Sequence, residues 1–332
     1  MKKEIHYYCP AVECKQLPLE EQEGGLRCRS NEHFYLYAPG TKIPVFVCAD
    51  EDSNEYTLTD AAKIHDNSLR WLFKTFKTSE VKLRKSLVSR LRVKKGDSIL
   101  VTGAGAGNDL PFLAESLDSE GVIHAQDFSK QMLLAGAERY GPLLTSPNLT
   151  IQFSVSDATN LPFRDAEFDA AYHFGGINLF PDIAKGIAEM NRVVRPGGRI
   201  VIGDEGIAPW LKNTEIGKML IKNNPLYSFD APLHYLPESA RNVVFSWEME
   251  NCFYVIEFTV SDHSLQIDID IPHVGRRGGS IRTRYYGQLE GIDPELRNFL
   301  YKEAERLDIS RVDYLERLLK IGYNKDNKVE EM

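Results

Sequence analysis

From Ser98 onward the chain alternates short apolar runs with amphipathic stretches, and this rhythm organises the whole reading. SILVTG, starting at Ser98, predicts a strand; Asn108 to Leu117 predicts a helix. GVIHAQ is a second strand and Ser129 to Tyr140 a second helix. LTIQFSV and FDAAYHF are a third and fourth strand. Pro181 to Val194 is a helix ended by the turn Arg195-Pro-Gly-Gly198, and RIVIGD is a fifth strand. Such alternation predicts a parallel sheet covered by helices on both faces, and right-handed crossovers make it a doubly wound α/β fold.

The flanks read differently. Residues 1–52 carry short alternating runs (HFYLYAPG, KIPVFVC) between glycine and proline turns. The acidic stretch 50–55 reads as a linker. Leu69, Leu72, Phe73, Phe76 and then Leu83, Leu87, Val88, Leu91 recur at helical spacing, predicting two leading helices. After Glu205 the rhythm breaks. APWLKNTEIGKMLIKNN reads as helical, NCFYVIEFTV and LQIDIDI as antiparallel strands, and residues 294–322 as two closing helices. The expected domains are therefore 1–52, 53–208 and 209–332, the last an α+β cap.

Composition narrows the class. The chain has 332 residues, 42% apolar and 27% charged, ordinary for a globular protein. No apolar run has the length of a membrane span, and MKKEIHYYCP lacks the apolar region of a secretory signal, so a cytoplasmic protein is expected. The net charge of -8 disfavours general coating of nucleic acid but leaves room for a local basic patch.

The first strand ends in Gly103-Ala-Gly105-Ala-Gly107, bare backbone at the start of a helix. The dinucleotide fingerprint G-x-G-x-x-G is not met: counted from Gly103 its last position is Asn108, and from Gly105 it is Leu110. A plain strand-to-helix turn also fits the loop by itself. Asp127, 20 residues past Gly107 at the end of the second strand, can accept both ribose hydroxyls or cap the next helix.

The G-x-G-x-G loop resembles motif I of class I S-adenosylmethionine (SAM) dependent methyltransferases. DFSKQML resembles the D-x-S-x-x-M-L run of the ubiquinone/menaquinone-biosynthesis methyltransferases. Three further pieces follow in that family's order: SDATNLPF, Phe168-Asp169, and EMNRVVRPGG from Glu189 to Gly198. The resemblance covers about residues 95–205. It implies a Rossmann-like domain in which Gly103, Gly105 and Gly107, with Ala104, cradle the methionine part of SAM. Asp127, with Phe128 beside it, would hold the ribose, and Asp157 and Ala158 the adenine. One departure stands out. The family has Asp or Glu two residues before the first glycine, where this chain has Val101. Asn108 or Asp109 at the same helix start could take over, or the domain could be a non-catalytic scaffold.

Four of the five cysteines lie within the first 48 residues, which points to metal before disulfide in a chain with no secretion signal. Cys9-x4-Cys14 and Cys28-x4-His33 form two pairs, as in a zinc ribbon, with Cys48 an alternative to His33. The stretch resembles the zinc ribbon of the large-subunit rRNA guanine-N1 methyltransferases, although both knuckles are longer here. Such a four-ligand zinc would be structural.

Methyl transfer from SAM is an in-line displacement that benefits from a nearby base. His173, after the fourth strand, and Glu205, after the fifth, are the candidates, with a core histidine and a helix cap as their ordinary alternatives. Arg276, Arg277, Arg282 and Arg284 fall in one short segment, with Arg282 and Arg284 read as alternating on a strand. Arginine forks there suit a phosphate or carboxylate on the acceptor, an RNA backbone, or surface ion pairs. The expected function is methylation of a small molecule, with an RNA acceptor as the rival. The oligomeric state is not legible.

Overall fold

The computed structural model describes residues 4–14, 17–30, 32–47, 60–142, 146–274, 279–286 and 293–326. The chain divides into two compact units, Met1–Ser264 and Leu265–Met332.

The first unit holds two sheets. A small antiparallel one is built from β1 (Leu19–Gln22), β2 (Gly25–Cys28) and β3 (Phe34–Leu36). The large one has seven strands. They are β4 (Ser98–Thr102), β5 (Gly121–Asp127), β6 (Leu149–Val155), β7 (Phe168–Phe174), β8 (Val194–Glu205), β9 (Ala240–Glu248) and β10 (Phe253–Val260). Their order across the sheet is β6-β5-β4-β7-β8-β10-β9. Strands β4 to β8 run parallel, while β10 is antiparallel to both β8 and β9. The order reverses at β4, between its neighbours β5 and β7. In an open α/β sheet ligands bind at the carboxyl ends of the strands beside such a reversal.

Both faces of the sheet are covered, but unequally. One face carries α1 (Ala61–Thr75), α2 (Glu80–Ser89), α3 (Leu110–Ser116) and α4 (Lys130–Tyr140), whose Phe73, Leu83, Leu87, Leu113 and Leu133 pack on Ile99, Val101 and Ile123. The other face carries α5 (Ile183–Val193) through Ile187, Met190 and Val193. The crossover from β6 to β7 contains no helix. Leu161 and Phe163 fill that place, together with Ile5 and Tyr7 from the N-terminal segment. A parallel crossover without a helix leaves sheet area bare, and the N-terminal module supplies the missing apolar surface.

Three expectations need correction. LQIDIDI forms no strand: Leu265, Ile267 and Ile271 lie exposed in irregular backbone. The strand that pairs with β10 is Ala240–Glu248, which the pattern did not single out. Arg282 and Arg284 lie on a short helix, α7 (Ile281–Tyr286), so they do not alternate on a strand. The turn at Arg195–Gly198 is present as a loop-out inside β8, because Phe168 pairs Val194 while Ala170 pairs Arg199. The helix expected over residues 208–224 shortens to α6 (Glu215–Asn223), capped by the Thr214 hydroxyl.

Among the described residues, the helices of the second unit are α7, α8 (Pro294–Arg306) and α9 (Arg311–Asp326). Asp293 caps α8, and the Arg311 guanidinium lies 3.7 Å from the Tyr301 ring centroid. No helix among the described residues is long and apolar enough to cross a membrane.

Candidate cofactor and acceptor site

The glycine loop leaves β4 at the reversal point. Gly103, Gly105 and Gly107 all have left-handed φ, of +60°, +52° and +78°. At Gly103 sterics add to conformation, since a Cβ there would lie 2.9 Å from His173 Cε1. At Gly107 it would meet Leu110 at 2.9 Å and Tyr140 at 3.1 Å. Bulkier residues would therefore push the loop off the sheet.

Asp127, at the end of β5, ties the loop to the next helix. Its carboxylate accepts from the Gly105 amide at 2.7 Å and from the Ser129 amide at 2.7 Å. Burial pushes its pKa up, against the lowering effect of the Ser129, Gly105 and Phe128 amides. The cap of α4 is the Ser129 side chain, so Asp127 is not that cap. Ala104 donates to the Gln126 carbonyl at 2.9 Å, and the Phe128 ring stands exposed beside the loop. Past β6, Asp157 accepts from the Thr159 amide at 2.8 Å and closes a turn that buries Ala158. The Ser156 amide donates to the Asp127 carbonyl at 3.0 Å. The residues assigned to methionine, ribose and adenine thus follow one another along the carboxyl ends of β4, β5 and β6.

Val101 is buried in the apolar cluster and pairs with Tyr172 across the sheet. The Tyr172 hydroxyl donates to Asp109 Oδ1 at 3.2 Å, and Asp109 Oδ2 meets Arg84 Nη1 at 2.7 Å. Arg84 Nε holds Glu80 at 2.8 Å. Of the two residues considered as substitutes for an acid at 101, Asp109 is thus already ion-paired. Asn108 accepts from Arg139 and from the Tyr140 hydroxyl, both at 3.3 Å. The sequence reading did not single out Arg84; its spacing of four from Glu80 was the available signal.

His173 is fully buried behind Gly103, edge-on to Phe180. Its Nδ1 lies 3.1 Å from Thr102 Oγ1, and its Nε2 has no partner among the described residues. Burial lowers its pKa, so the ring is neutral at pH 7. At the end of β8, Asp204 Oδ1 accepts from the Glu205 amide at 2.8 Å and the Gly176 amide at 3.1 Å, and Oδ2 from the Asn178 amide at 2.8 Å. It therefore moulds the loop after β7. Burial and the adjacent Asp204 push the Glu205 carboxyl well above the usual range. Near these strand ends Phe76, Phe174, Tyr227 and Phe253 pack edge-on or tilted with centroids 5.9–6.2 Å apart, and Phe76, Tyr227 and Phe253 are buried in the core.

Arg282 is engaged with Asp270 at 2.7 Å on an exposed surface of the second unit. Arg284 lies one helical step on, half-buried. Arg276 and Arg277 lie outside the described residues.

Cys9, Cys14, Cys28 and His33 come together with all their ligating atoms within 4.8 Å of one another. Cys14 Sγ lies 3.6 Å from Cys28 Sγ and 3.2 Å from His33 Nδ1. Tetrahedral zinc with Zn–S bonds of ~2.3 Å separates two sulfurs by about 3.8 Å, so the spacing fits. Glu13 holds His33 Nε2 at 3.0 Å, turning Nδ1 toward the thiols. Burial pushes the Cys9 thiol up to about 11. At Cys28 burial acts the same way, but hydrogen bonds from Ser30 and the other thiols outweigh it and bring the thiol to about 7. Cys48 lies outside the described residues.

Residues 100–202 match the family model of a methyltransferase domain. That segment is a methyltransferase domain. Relatives of this methyltransferase domain include the chloroplastic 2-phytyl-1,4-beta-naphthoquinone methyltransferase of Arabidopsis thaliana, 28% identical over 53% of this chain and 69% of that protein. The demethylmenaquinone methyltransferase of Beutenbergia cavernae is 38% identical over 38% of this chain and 48% of that protein. The chain spans about half the length of the demethylmenaquinone methyltransferases it matches. The Haemonchus contortus phosphoethanolamine N-methyltransferase 2 bound to SAM superposes with a TM-score of 0.49 at 13% identity, covering 63% of this chain and 60% of that one.

Proposed function

We propose that the protein binds SAM along the carboxyl ends of β4, β5 and β6 and transfers its methyl group to a small molecule. The observation that carries this is Asp127, a half-buried carboxylate whose two oxygens fix the Gly105 amide and the start of α4. Gly103, Ala104, Gly105 and Gly107 would take the methionine part, Asp127 and Phe128 the ribose, and Asp157 and Ala158 the adenine. SAM supplies an electrophilic methyl group, and the chain's part is to orient the acceptor in line with it. Glu205 would serve as a protonated carboxylic acid that holds a polar atom of the acceptor. His173, sealed behind Gly103, would position the glycine loop.

Two acceptor chemistries compete. An anionic acceptor would use Arg276, Arg277, Arg282 and Arg284, of which Arg282 is already paired. A flat, largely apolar acceptor, of the quinone kind named for the relatives, would use the aromatic cluster of Phe76, Phe174, Tyr227 and Phe253. The cluster and the raised pKa of the Glu205 carboxyl, which follows from burial and the adjacent Asp204, favour the second. The net charge of -8 tells against RNA.

Calorimetric titration with SAM and S-adenosylhomocysteine tests the cofactor site. Micromolar binding is expected, weakened about 10- to 100-fold in Asp127→Ala, since a bond to a charged group contributes about 1.5–3 kcal/mol. No binding of either ligand would leave a scaffold with this fold. An acceptor screen with hydroquinones, phosphorylated amines and RNA then separates the acceptor classes.

We also propose a structural zinc at Cys9, Cys14, Cys28 and His33. One zinc per chain is expected by elemental analysis, and Cys28→Ser should lose it. The thiols are free, in keeping with a reducing compartment such as the cytoplasm.

A further inference from the structure

The metal cluster and the cofactor loops meet through three short connections. Cys9 sits between two residues whose backbones grip the turn past β6. On one side the Tyr8 amide donates to the Pro162 carbonyl at 2.9 Å. On the other, Asn160 Nδ2 donates to the Pro10 carbonyl at 3.0 Å. That turn begins at Asp157, to whose carbonyl the Asn160 amide donates at 3.0 Å. The third connection is a file of rings from a metal ligand to the sheet. His33 stacks on Tyr35 (6.4 Å), Tyr35 contacts Phe46 (5.0 Å), Phe46 contacts Tyr7 (5.4 Å), and Tyr7 reaches Phe163 (5.9 Å), buried beneath the same turn. Backbone pairing fixes the module to β6 as well: the Phe46 amide donates to Val155 O at 2.8 Å, and the Val155 amide to Pro44 O at 2.9 Å.

This attachment lies where the β6–β7 crossover has no helix. The turn that would carry the adenine contacts is also anchored by Glu189 and Arg192 of α5, which hold the Leu161 amide and the Leu161 and Phe163 carbonyls. Without the metal, three thiols and an imidazole would have no common centre, and the small sheet of three- and four-residue strands would lose the tie between its ends. The residues on either side of Cys9 would then lose their fixed position, while the α5 anchor would remain.

We propose that metal occupancy of the Cys9–Cys14–Cys28–His33 cluster sets the affinity of the protein for SAM, by fixing the 157–162 turn through Tyr8 and Pro10. The proposal rests on the zinc and SAM readings above. By linkage it is reciprocal: bound SAM strengthens retention of the metal by the same factor.

The test uses the full chain, loaded with zinc and after chelation, and reads zinc content, SAM affinity by calorimetry and amide hydrogen exchange. In the zinc-free protein SAM affinity should fall about tenfold. Exchange should quicken at Tyr8, Cys9, residues 158–161 and Phe163 while β4 and β7 stay protected. Asn160→Ala, which cuts one link and leaves every ligand in place, should keep its zinc and lose about threefold in SAM affinity. SAM should in turn slow zinc release to a chelator.

Equal SAM affinity with and without zinc, β4 remaining protected, overturns the coupling and leaves both underlying readings standing. Loss of protection throughout β4 and β7 on chelation also overturns it, because the metal would then brace the whole fold. A chain that neither carries nor takes up zinc removes the metal reading, and a zinc-loaded chain that binds no SAM removes the cofactor reading. Each result is separately visible.

Discussion

At the scale of single residues, the site depends on backbone that only glycine adopts easily and on carboxylates kept out of water. Gly103→Ala would place a Cβ in the left-handed region, which costs about 1–2 kcal/mol, and against a histidine that the sheet does not let retreat. Denaturant titration should show a loss of about 1–3 kcal/mol, with SAM affinity reduced alongside. Glu205 gives a prediction in pH. Its folded pKa lies above its unfolded value, so the native state binds the proton more tightly. Its contribution to stability is full below the unfolded carboxyl pKa and is lost as pH rises through the folded one. Glu205→Gln, neutral at every pH, should therefore gain stability over the parent as pH rises from about 4.5 to 8. A constant difference across that range in chemical denaturation would show that Glu205 is already ionised.

At the scale of elements, the ion pair between α2 and the start of α3 answers a question the sequence raised. Val101 leaves no acid on β4, and the first carboxylate past that strand is Asp109, ion-paired with the buried Arg84. Arg84→Met should cost about 3–5 kcal/mol, because the Asp109 charge would stay buried without its partner. Adding Asp109→Asn should recover part of the loss, and urea denaturation of the two variants measures it. If the double variant is no better than the single one, Arg84 acts through packing and not through charge. Strands β4, β5, β7 and β8 were legible because they are buried over most of their length and read as apolar runs between turn residues, and the half-buried edge strand β6 because LTIQFSV alternates. β9 was not, since ARNVVFSWE lies at the sheet edge, half-exposed, and shows no clean alternation. LQIDIDI shows the opposite case. Its alternation is regular, yet no strand pairs with it among the described residues, and alternation without a partner makes no strand. That Cys9, Cys14, Cys28 and His33 come together was legible from their spacing. The grip of Tyr8 and Pro10 on residues 160–162 was not, because bonds spanning some 150 positions leave no periodic trace.

At the scale of the whole molecule, the division after Ser264 makes a statement about where the core closes. Both large apolar clusters and every residue assigned to SAM lie before it. Among the described residues, the second unit's buried apolar side chains are Leu300 and Ala304, and stretches of fewer than about 70 residues rarely sustain a stable core alone. A chain ended at Ser264 should therefore unfold in one cooperative step and bind SAM within about threefold of the full chain, 1.4 kcal/mol being a factor of ten. Residues 265–332 expressed alone should show no cooperative transition. Calorimetry and denaturant titration of the two pieces decide this. A 1–264 chain that fails to fold would mean that the second unit completes the core of the first. A 1–264 chain that binds SAM but no longer methylates an acceptor accepted by the full chain would assign acceptor recognition to residues 265–332. That outcome would return the weight of the acceptor question to the arginines at 276, 277, 282 and 284. Retained turnover would leave it with the aromatic cluster and Glu205.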